Sequence, residues 1–311
     1  DLHFRSQSAI VQFSNEKFYG NQLKVCSDVN RLSDEPTLKW ENVRGESEQG
    51  PRGRSWINRL EAEAVVNQIG IVASQLQGLG LSMGVVTPYR AQVELIQDLA
   101  IKRLGAVAEQ ITIDTVHRFQ GDERDVMIFS PVVGPSMSSR QVSFAANPNL
   151  VNVALTRARK RLVIVGNRDA CLQHQSVLAD FTRYVSRLES SGFDSPIELA
   201  LYEALLQQNV VAEPGKRVGR HRLDMAIEKT NLKLNIECDG YAFHLDQDSD
   251  RARDRDLKSE GWQVLRFSGV ELTRELDRCV QTVIDTLGSA QALSQTKPMK
   301  QDYESYQSNP P

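Results

Sequence analysis

The sequence predicts an α/β protein in two parts, a parallel-sheet domain followed by a smaller mixed-sheet domain. Short runs that are apolar on both faces alternate with amphipathic helices up to about residue 188, as a parallel sheet covered on both sides requires. A polar stretch at 189–196 then interrupts the pattern, and beyond it a strand-like run alternates strictly between apolar and polar residues. With 311 residues, 40% hydrophobic and 25% charged, the chain is long enough for two soluble domains that each bury a core.

The elements follow in order. Residues 28–56, rich in Ser, Glu, Gly, Arg and Pro and without an apolar period, read as a loop or loosely packed insertion. RLEAEAVVNQIGIVASQLQ (59–77) has helical spacing, GVVTP (84–88) is a short strand, and AQVELIQDLAIKRLG (91–105) is a second helix. ITIDTV (111–116), VMIFSPVV (126–133) and RLVIVG (161–166) are further strands. ESSGFDSP (189–196) is the boundary, where Asp194 or Ser195 caps a helix starting near Pro196. IELALYEALLQQ, RLDMAIE, LKLNIECDG, SDRARDRDLKSEG, WQVLRFS and ELTRELDRCVQTVIDTLG then give the order α-β-β-α-β-α. The expected limits are 1–188 for the first domain and 189–290 for the second, with 291–311 a disordered tail.

A formal charge of −3 gives no global basic signature, so nucleic-acid binding must rest on local patches. Cys26, Cys171, Cys238 and Cys279 lie far apart, with no zinc spacing, which favours reduced thiols in a cytoplasmic protein. No apolar run approaches the roughly 20 residues that span a bilayer, so no membrane partner is expected. The polar start at Asp1 reads as a piece of a longer polypeptide. No G-x-x-x-x-G-K-[ST] phosphate-binding loop is present, since Gly215 and Lys216 are followed by arginine. Arg159, Lys160 and Arg161 read as a phosphate patch or a charged helix end.

Four phrases in order carry a resemblance: HFRSQSAIVQFSNEKFYGNQL (3–23), VVTPYRAQ (85–92), TVHRFQGDERDVMIFS (115–130) and NVALTRARKRLVIVG (152–166). Residues 1 to about 170 resemble the second RecA-like domain of superfamily 1 helicases, the group typified by the nonsense-mediated-decay helicase. The resemblance implies that Arg157, with Arg5 as second donor, reaches the γ-phosphate of ATP held by a P-loop domain upstream in the same polypeptide. Arginine suits that role because its guanidinium is always ionised and forks onto two oxygens. Gln120, Gly121 and Glu123 would line the nucleotide, and Thr115 and the loop around Thr87 and Tyr89 would touch single-stranded nucleic acid. His117, where the family often has an acidic residue, is either a further contact or a structural histidine. The group's 5′-to-3′ movement is implied as well.

In LKLNIECDG, Leu232, Leu234, Ile236 and Cys238 lie on one side, and Lys233, Asn235, Glu237 and Asp239 on the other. RLDMAIE sets Asp224 opposite Leu223, Met225 and Ile227. Carboxylates on neighbouring strands repel unless a cation or proton intervenes, and Mg2+ (or Mn2+) is the economical remedy; edge-strand charge that blocks aggregation is the plain alternative. SPIELALYEAL, RLDMAI, IECDGYAFH and DRDLKSEGWQVLRF, in that order, resemble the PD-(D/E)XK nuclease fold over about 193–288, in the branch related to very-short-patch-repair endonucleases. That resemblance implies Glu198, Asp224 and Glu237 as the acidic set, His244 as an assisting histidine, and Mg2+ held by Asp224, Glu237 and the Cys238 carbonyl. The usual lysine is Asp239 here, which leaves the general base open between His244 and a water held by Asp239 and the metal. Arg251, Arg253, Arg255 and Lys258 would either contact phosphates or form a solvated helix face with Asp250, Asp254 and Asp256. The expected protein is the C-terminal part of a helicase–nuclease working on DNA, in bacterial defence or repair. The alternatives are a non-cleaving DNA-binding clamp on a helicase motor and an RNA helicase with a structural appendage.

Overall fold

The computed structural model describes residues 2–3, 6–20, 22–25, 35–51, 53, 55–119, 121–229, 232–239 and 247–295. Its first unit runs β1 (Leu2–His3), α1 (Ser8–Phe18), β2 (Lys24–Val25), β3 (Leu38–Asn42), β4 (Glu48–Gln49), β5 (Trp56–Ile57), α2 (Arg59–Leu76), β6 (Met83–Thr87), α3 (Arg90–Leu104), α4 (Ala106–Glu109), β7 (Thr112–Thr115), β8 (Arg124–Phe129), α5 (Ser139–Val142), α6 (Pro148–Thr156), β9 (Ala158–Gly166), α7 (Arg168–Leu172) and α8 (Val177–Ser191). The second unit runs α9 (Pro196–Gln207), β10 (Glu213–Pro214), β11 (Arg217–Val218), β12 (His221–Arg222), β13 (Met225–Lys229), β14 (Leu232–Asp239), α10 (Gln247–Ser259), β15 (Trp262–Ser268), α11 (Gly269–Arg274) and α12 (Leu276–Gln295).

The main sheet has the order β3-β9-β8-β6-β7, with every neighbouring pair parallel. One face carries Val85, Ile128, Val163 and Val165 against Val65, Val66 and Ile69 of α2 and Val93 and Ile96 of α3. The other carries Val86, Met127, Phe129, Leu162 and Ile164 against Leu150 and Val151 of α6 and Phe181 and Val185 of α8. Alternate residues of one strand thus feed opposite cores, and the strands read as unbroken apolar runs for that reason. Asn58 starts α2 by accepting from the Glu61 N–H at 3.1 Å.

At the carboxyl ends of the strands lies a buried polar knot. Glu61, with no exposed surface, accepts from Ser130 Oγ at 2.5 Å and from the Val132 N–H at 2.8 Å. Its other oxygen, Oε2, has no partner. Gln92 ties Ser130 Oγ to the Asn58 carbonyl, with both bonds at 3.2 Å. Burial pushes the Glu61 carboxyl up to about 8, against smaller lowering from those two donors.

Five expectations change. Within 28–56, Leu38–Asn42 is an edge strand of the main sheet, not a loop, with Leu38 and Trp40 buried and the indole Nε1 donating to the Gly166 carbonyl at 3.0 Å. Two apolar residues, Leu38 and Trp40, alternating with Lys39 and Glu41, are too few to register as a period. The run at 126–133 leaves the sheet after Phe129, because Val132 takes a positive φ of 58° and its N–H turns to Glu61. Arg159–Arg161 lie on β9, not at a helix end, and Arg161 is buried and paired with Glu35 and Gln75. The tail begins later, since α12 runs to Gln295; residues 296–311 lie outside those described. The run ELTRELDRCVQTVIDTLG is two helices, parted at Glu275, whose φ of −132° is not helical.

The second unit has the mixed sheet β10-β13-β14-β15, antiparallel except for the parallel pair β14 and β15. Ser195, not Asp194, caps α9, accepting from the Glu198 N–H at 3.3 Å. The stretch expected as a polar boundary is only a tight corner. Helix α8 continues to Ser191, Gly192 takes the left-handed conformation at φ 76°, and Phe193 is buried against Tyr202 with ring centroids 4.8 Å apart. Leu188, Phe193, Leu199 and Leu205 belong to the cluster that includes Phe181 and Phe129, so one hydrophobic core is continuous across both units.

Candidate functional site

Arg157 ends α6 at the edge from which β8 and β9 start, its carbonyl accepting from the Arg124 N–H at 3.0 Å. Its guanidinium is half-buried and, among the described residues, held only by long bonds, to the Val153 carbonyl at 3.3 Å, Thr156 Oγ1 at 3.3 Å and the Asp122 carbonyl at 3.5 Å. The structure therefore brings Arg157 against the loop that carries Gly121 and Glu123, where Gly121 is exposed at φ 94°. The Asp122 carboxylate is held below its ordinary range by its bond from Arg124, with a smaller contribution from the charge of Arg157. Arg5 and Gln120 lie outside the described residues.

Thr87 and Thr115 pair side by side at the opposite, carboxyl edge of the sheet. Six to seven residues of strand separate the two edges, about 20 Å at the usual rise. The segment from Thr115 to Arg124 runs from one edge to the other, with Val116 and Phe119 buried along it. Thr87 is fully buried and offers no surface to a ligand. Tyr89 is nearly buried, its hydroxyl donating to the Gln141 carbonyl at 3.4 Å, and burial pushes that hydroxyl up to about 12. The exposed groups there are His117, Arg118 and Phe144; Phe144 is 45% exposed, with its ring 5.5 Å from Tyr89 and 6.2 Å from His117. Phe144 escaped the sequence reading because an isolated aromatic between two short helices carries no pattern.

In the second unit, Met225 pairs with Ile236, and continuing this antiparallel register sets Asp224 across from Glu237 on one face. The Cys238 N–H donates to Asp224 Oδ2 at 2.9 Å. Glu237 is buried and accepts from Asn235 Nδ2 at 2.6 Å and from Arg253 Nη2 at 2.7 Å. The same Arg253 nitrogen donates to the Arg222 carbonyl at 2.8 Å, and Arg222 is ion-paired with Asp194. Glu198 accepts from the Asp194 N–H at 3.1 Å and Ser195 Oγ at 2.7 Å, closing the first turn of α9. Asp239 closes β14 in register with Ser268, and His244 lies outside the described residues.

Among the described residues no three of His, Cys, Asp and Glu gather at metal-binding distance. The donors that do face one another are hard oxygens, and Asn235 Oδ1, fully buried beside Glu237, has no hydrogen-bond partner. An orphaned buried oxygen next to a buried carboxylate fits a hard divalent ion in kind. Asp254 and Asp256 of α10 do not contribute: Arg266 takes Asp254 through two bonds of 2.6 and 2.9 Å, and His221 and Arg220 take Asp256 at 3.0 and 2.8 Å. These partners hold both carboxyls below their ordinary range.

A RecA-like parallel sheet with an arginine at its rim, joined to a mixed sheet of restriction-endonuclease-like kind, defines the class. The chain belongs to the AAA domain family, whose model matches residues 1–169, in the form found in the C-terminal region of superfamily 1 helicases. A restriction-endonuclease-like (REase) family model matches residues 198–287. Helicase sen1 of Schizosaccharomyces pombe is 31% identical over 182 residues, covering 54% of this chain and 10% of that protein. RNA helicase Mov10l1 of Mus musculus is 30% identical over 220 residues, covering 63% and 18%. DNA polymerase alpha-associated DNA helicase A of S. pombe is 28% identical over 224 residues, covering 65% and 32%. The chain thus spans from a tenth to a third of the length of these relatives. Among the described residues, no helix is long and apolar enough to cross a membrane.

Proposed function

We propose that this chain supplies the arginine-bearing half of an ATP-dependent helicase and carries a divalent-ion-dependent nuclease unit that acts on DNA. The observation that carries the reading is Arg157, a guanidinium loosely held at the sheet rim beside the 121–123 loop, where little has to break for it to turn to a phosphate. Its partner is a P-loop domain upstream in the same polypeptide, which would hold the nucleotide. Arg157 and Arg5 stabilise the charge that develops on the transferred phosphoryl group, and Gln120, Gly121 and Glu123 line the nucleotide. The segment from Thr115 to Arg124 links this rim to the nucleic-acid edge, so a shift at one end displaces the other. The test is nucleic-acid-stimulated ATP hydrolysis by the chain together with that P-loop domain; no gain over the P-loop domain alone would overturn the reading.

At the carboxyl edge, Phe144 with His117 and Tyr89 forms a platform on which an unpaired base can stack. Stacking on an aromatic contributes about 1–3 kcal/mol per base. Phe144→Ala is expected to weaken single-strand binding roughly tenfold or more, as read by fluorescence anisotropy, with little loss of stability because the ring is 45% exposed. Unchanged affinity would remove Phe144 from the interface.

In the nuclease unit, Asp224, Glu237 and the Cys238 carbonyl would hold Mg2+ or Mn2+. The bound ion would polarise a scissile phosphate and lower the pKa of an attacking water. The Cys238 N–H orients Asp224, Asn235 orients Glu237, and His244 or Asp239 takes the water's proton. Asp224→Asn is expected to lower Mg2+-dependent nicking of supercoiled DNA about a hundredfold or more, since even groups that only orient metal ligands contribute 10–100-fold. One observation favours a second reading, the non-cleaving clamp: Glu237 already has a counter-charge in Arg253. Equal residual nicking by wild type and Asp224→Asn selects the clamp. Competition between DNA and RNA oligonucleotides decides the target.

A further inference from the structure

Arg253 is the cation paired with Glu237. Glu237 is 2% exposed, and a buried carboxylate without a counter-charge is strongly destabilising. Arg253 supplies that charge at 2.7 Å while its own side chain stays 28% exposed, so one guanidinium edge faces the acid and the stem reaches toward solvent. Its second bond, to the Arg222 carbonyl, lies two residues before Asp224 in sequence. The guanidinium therefore bridges Glu237 on β14 and the end of β12, from which the chain runs on to Asp224. The charged run of α10 sorts itself around it. Asp254 turns to Arg266 and Asp256 to His221 and Arg220, while Arg253 turns to Glu237.

A divalent ion bound by Asp224 and Glu237 would share Glu237 with Arg253, whose guanidinium lies 2.7 Å from Oε1, and would set two positive charges beside a third. At the effective dielectric of such a site, charges a few ångströms apart repel by several kcal/mol, enough to shift affinity tenfold or more. We propose that Arg253 is an exchangeable positioning residue: it holds Glu237 folded and oriented while no metal is bound, gives way when a divalent ion binds, and turns its guanidinium outward to a phosphate of the nucleic-acid backbone. The proposal rests on the divalent-ion reading of the acid pair. Guanidinium is suited to the exchange, because the same planar fork matches a carboxylate and a phosphate.

The experiment is calorimetric titration of the full chain with Mn2+ in the absence of nucleic acid, with thermal melts in EDTA and in saturating Mn2+. Arg253→Met removes the charge and keeps the length. It is expected to bind Mn2+ about tenfold or more tightly than wild type, to melt lower than wild type in EDTA, and to recover most of that loss in Mn2+. Arg253→Lys, which keeps the charge, should bind Mn2+ as wild type does. Equal Mn2+ affinity in wild type and Arg253→Met overturns the exchange but leaves the metal site standing. No Mn2+ binding by either protein removes the metal site and the exchange together. A variant that stays unfolded in saturating Mn2+ also counts against the proposal, because the ion should then replace the lost charge.

Discussion

On the proposed helicase reading, replacing Arg157 by alanine is expected to lower ATP hydrolysis by the chain together with the proposed P-loop domain about a thousandfold or more, the range by which an arginine acting on a transferred phosphoryl group accelerates the reaction. The fold should survive. Among the described residues the guanidinium makes only long hydrogen bonds, of 3.3 to 3.5 Å, to two carbonyls and a hydroxyl, and its half-exposed position leaves water to satisfy them. Thermal stability within a few degrees of wild type, nucleotide binding largely kept and phosphate release lost is the expected combination. Arg157→Lys should rescue little, since an ammonium cannot fork onto two oxygens. Phosphate release within about tenfold of wild type in Arg157→Ala would remove this arginine from the reaction.

Glu61 dominates the expected pH dependence of stability. Its carboxyl titrates near 8 in the folded protein against an ordinary value of 4.5, because burial disfavours the charged form more than Ser130 and the Val132 N–H favour it. Between those two values the folded chain holds one proton more than the unfolded chain. Its contribution is therefore complete below pH 4.5, declines as pH rises, and is gone above about 8. The full swing is roughly 4–5 kcal/mol. Glu61→Gln keeps the acceptor for Ser130 and Val132 and removes the titration. In denaturant titrations from pH 5 to 9, the stability of wild type relative to Glu61→Gln should fall by about this amount. A constant difference across that range would mean that Glu61 ionises freely.

The parallel sheet was legible because its strands are buried on both faces, so Met83–Thr87, Arg124–Phe129 and Arg161–Gly166 stand out as apolar runs. The edge strand Leu38–Asn42 was not, since its two inward residues are separated by charge. Asp224 and Glu237 were readable from alternation alone. What covers them was not: Arg253 reaches Glu237 from a helix whose Arg–Asp repeat looks like a solvated face, and only the packing shows which arginine turns inward. The triplet at 159–161 fails in the opposite sense. A strand alternates its side chains, so three consecutive cations cannot form one patch, and Arg161 points into the protein. Thr87 is invisible to a ligand for a related reason, because the end of a central strand is still core.

The turn at Gly192 leaves four residues between α8 and α9, and one of them, Phe193, is sunk in the shared core. A hinge needs exposed backbone to bend, and there is none of any length here. On the proposed reading, the acid pair travels with Arg157 as a fixed offset through every turnover, so cut positions along a strand should be quantised by the motor's step rather than smeared by a tether.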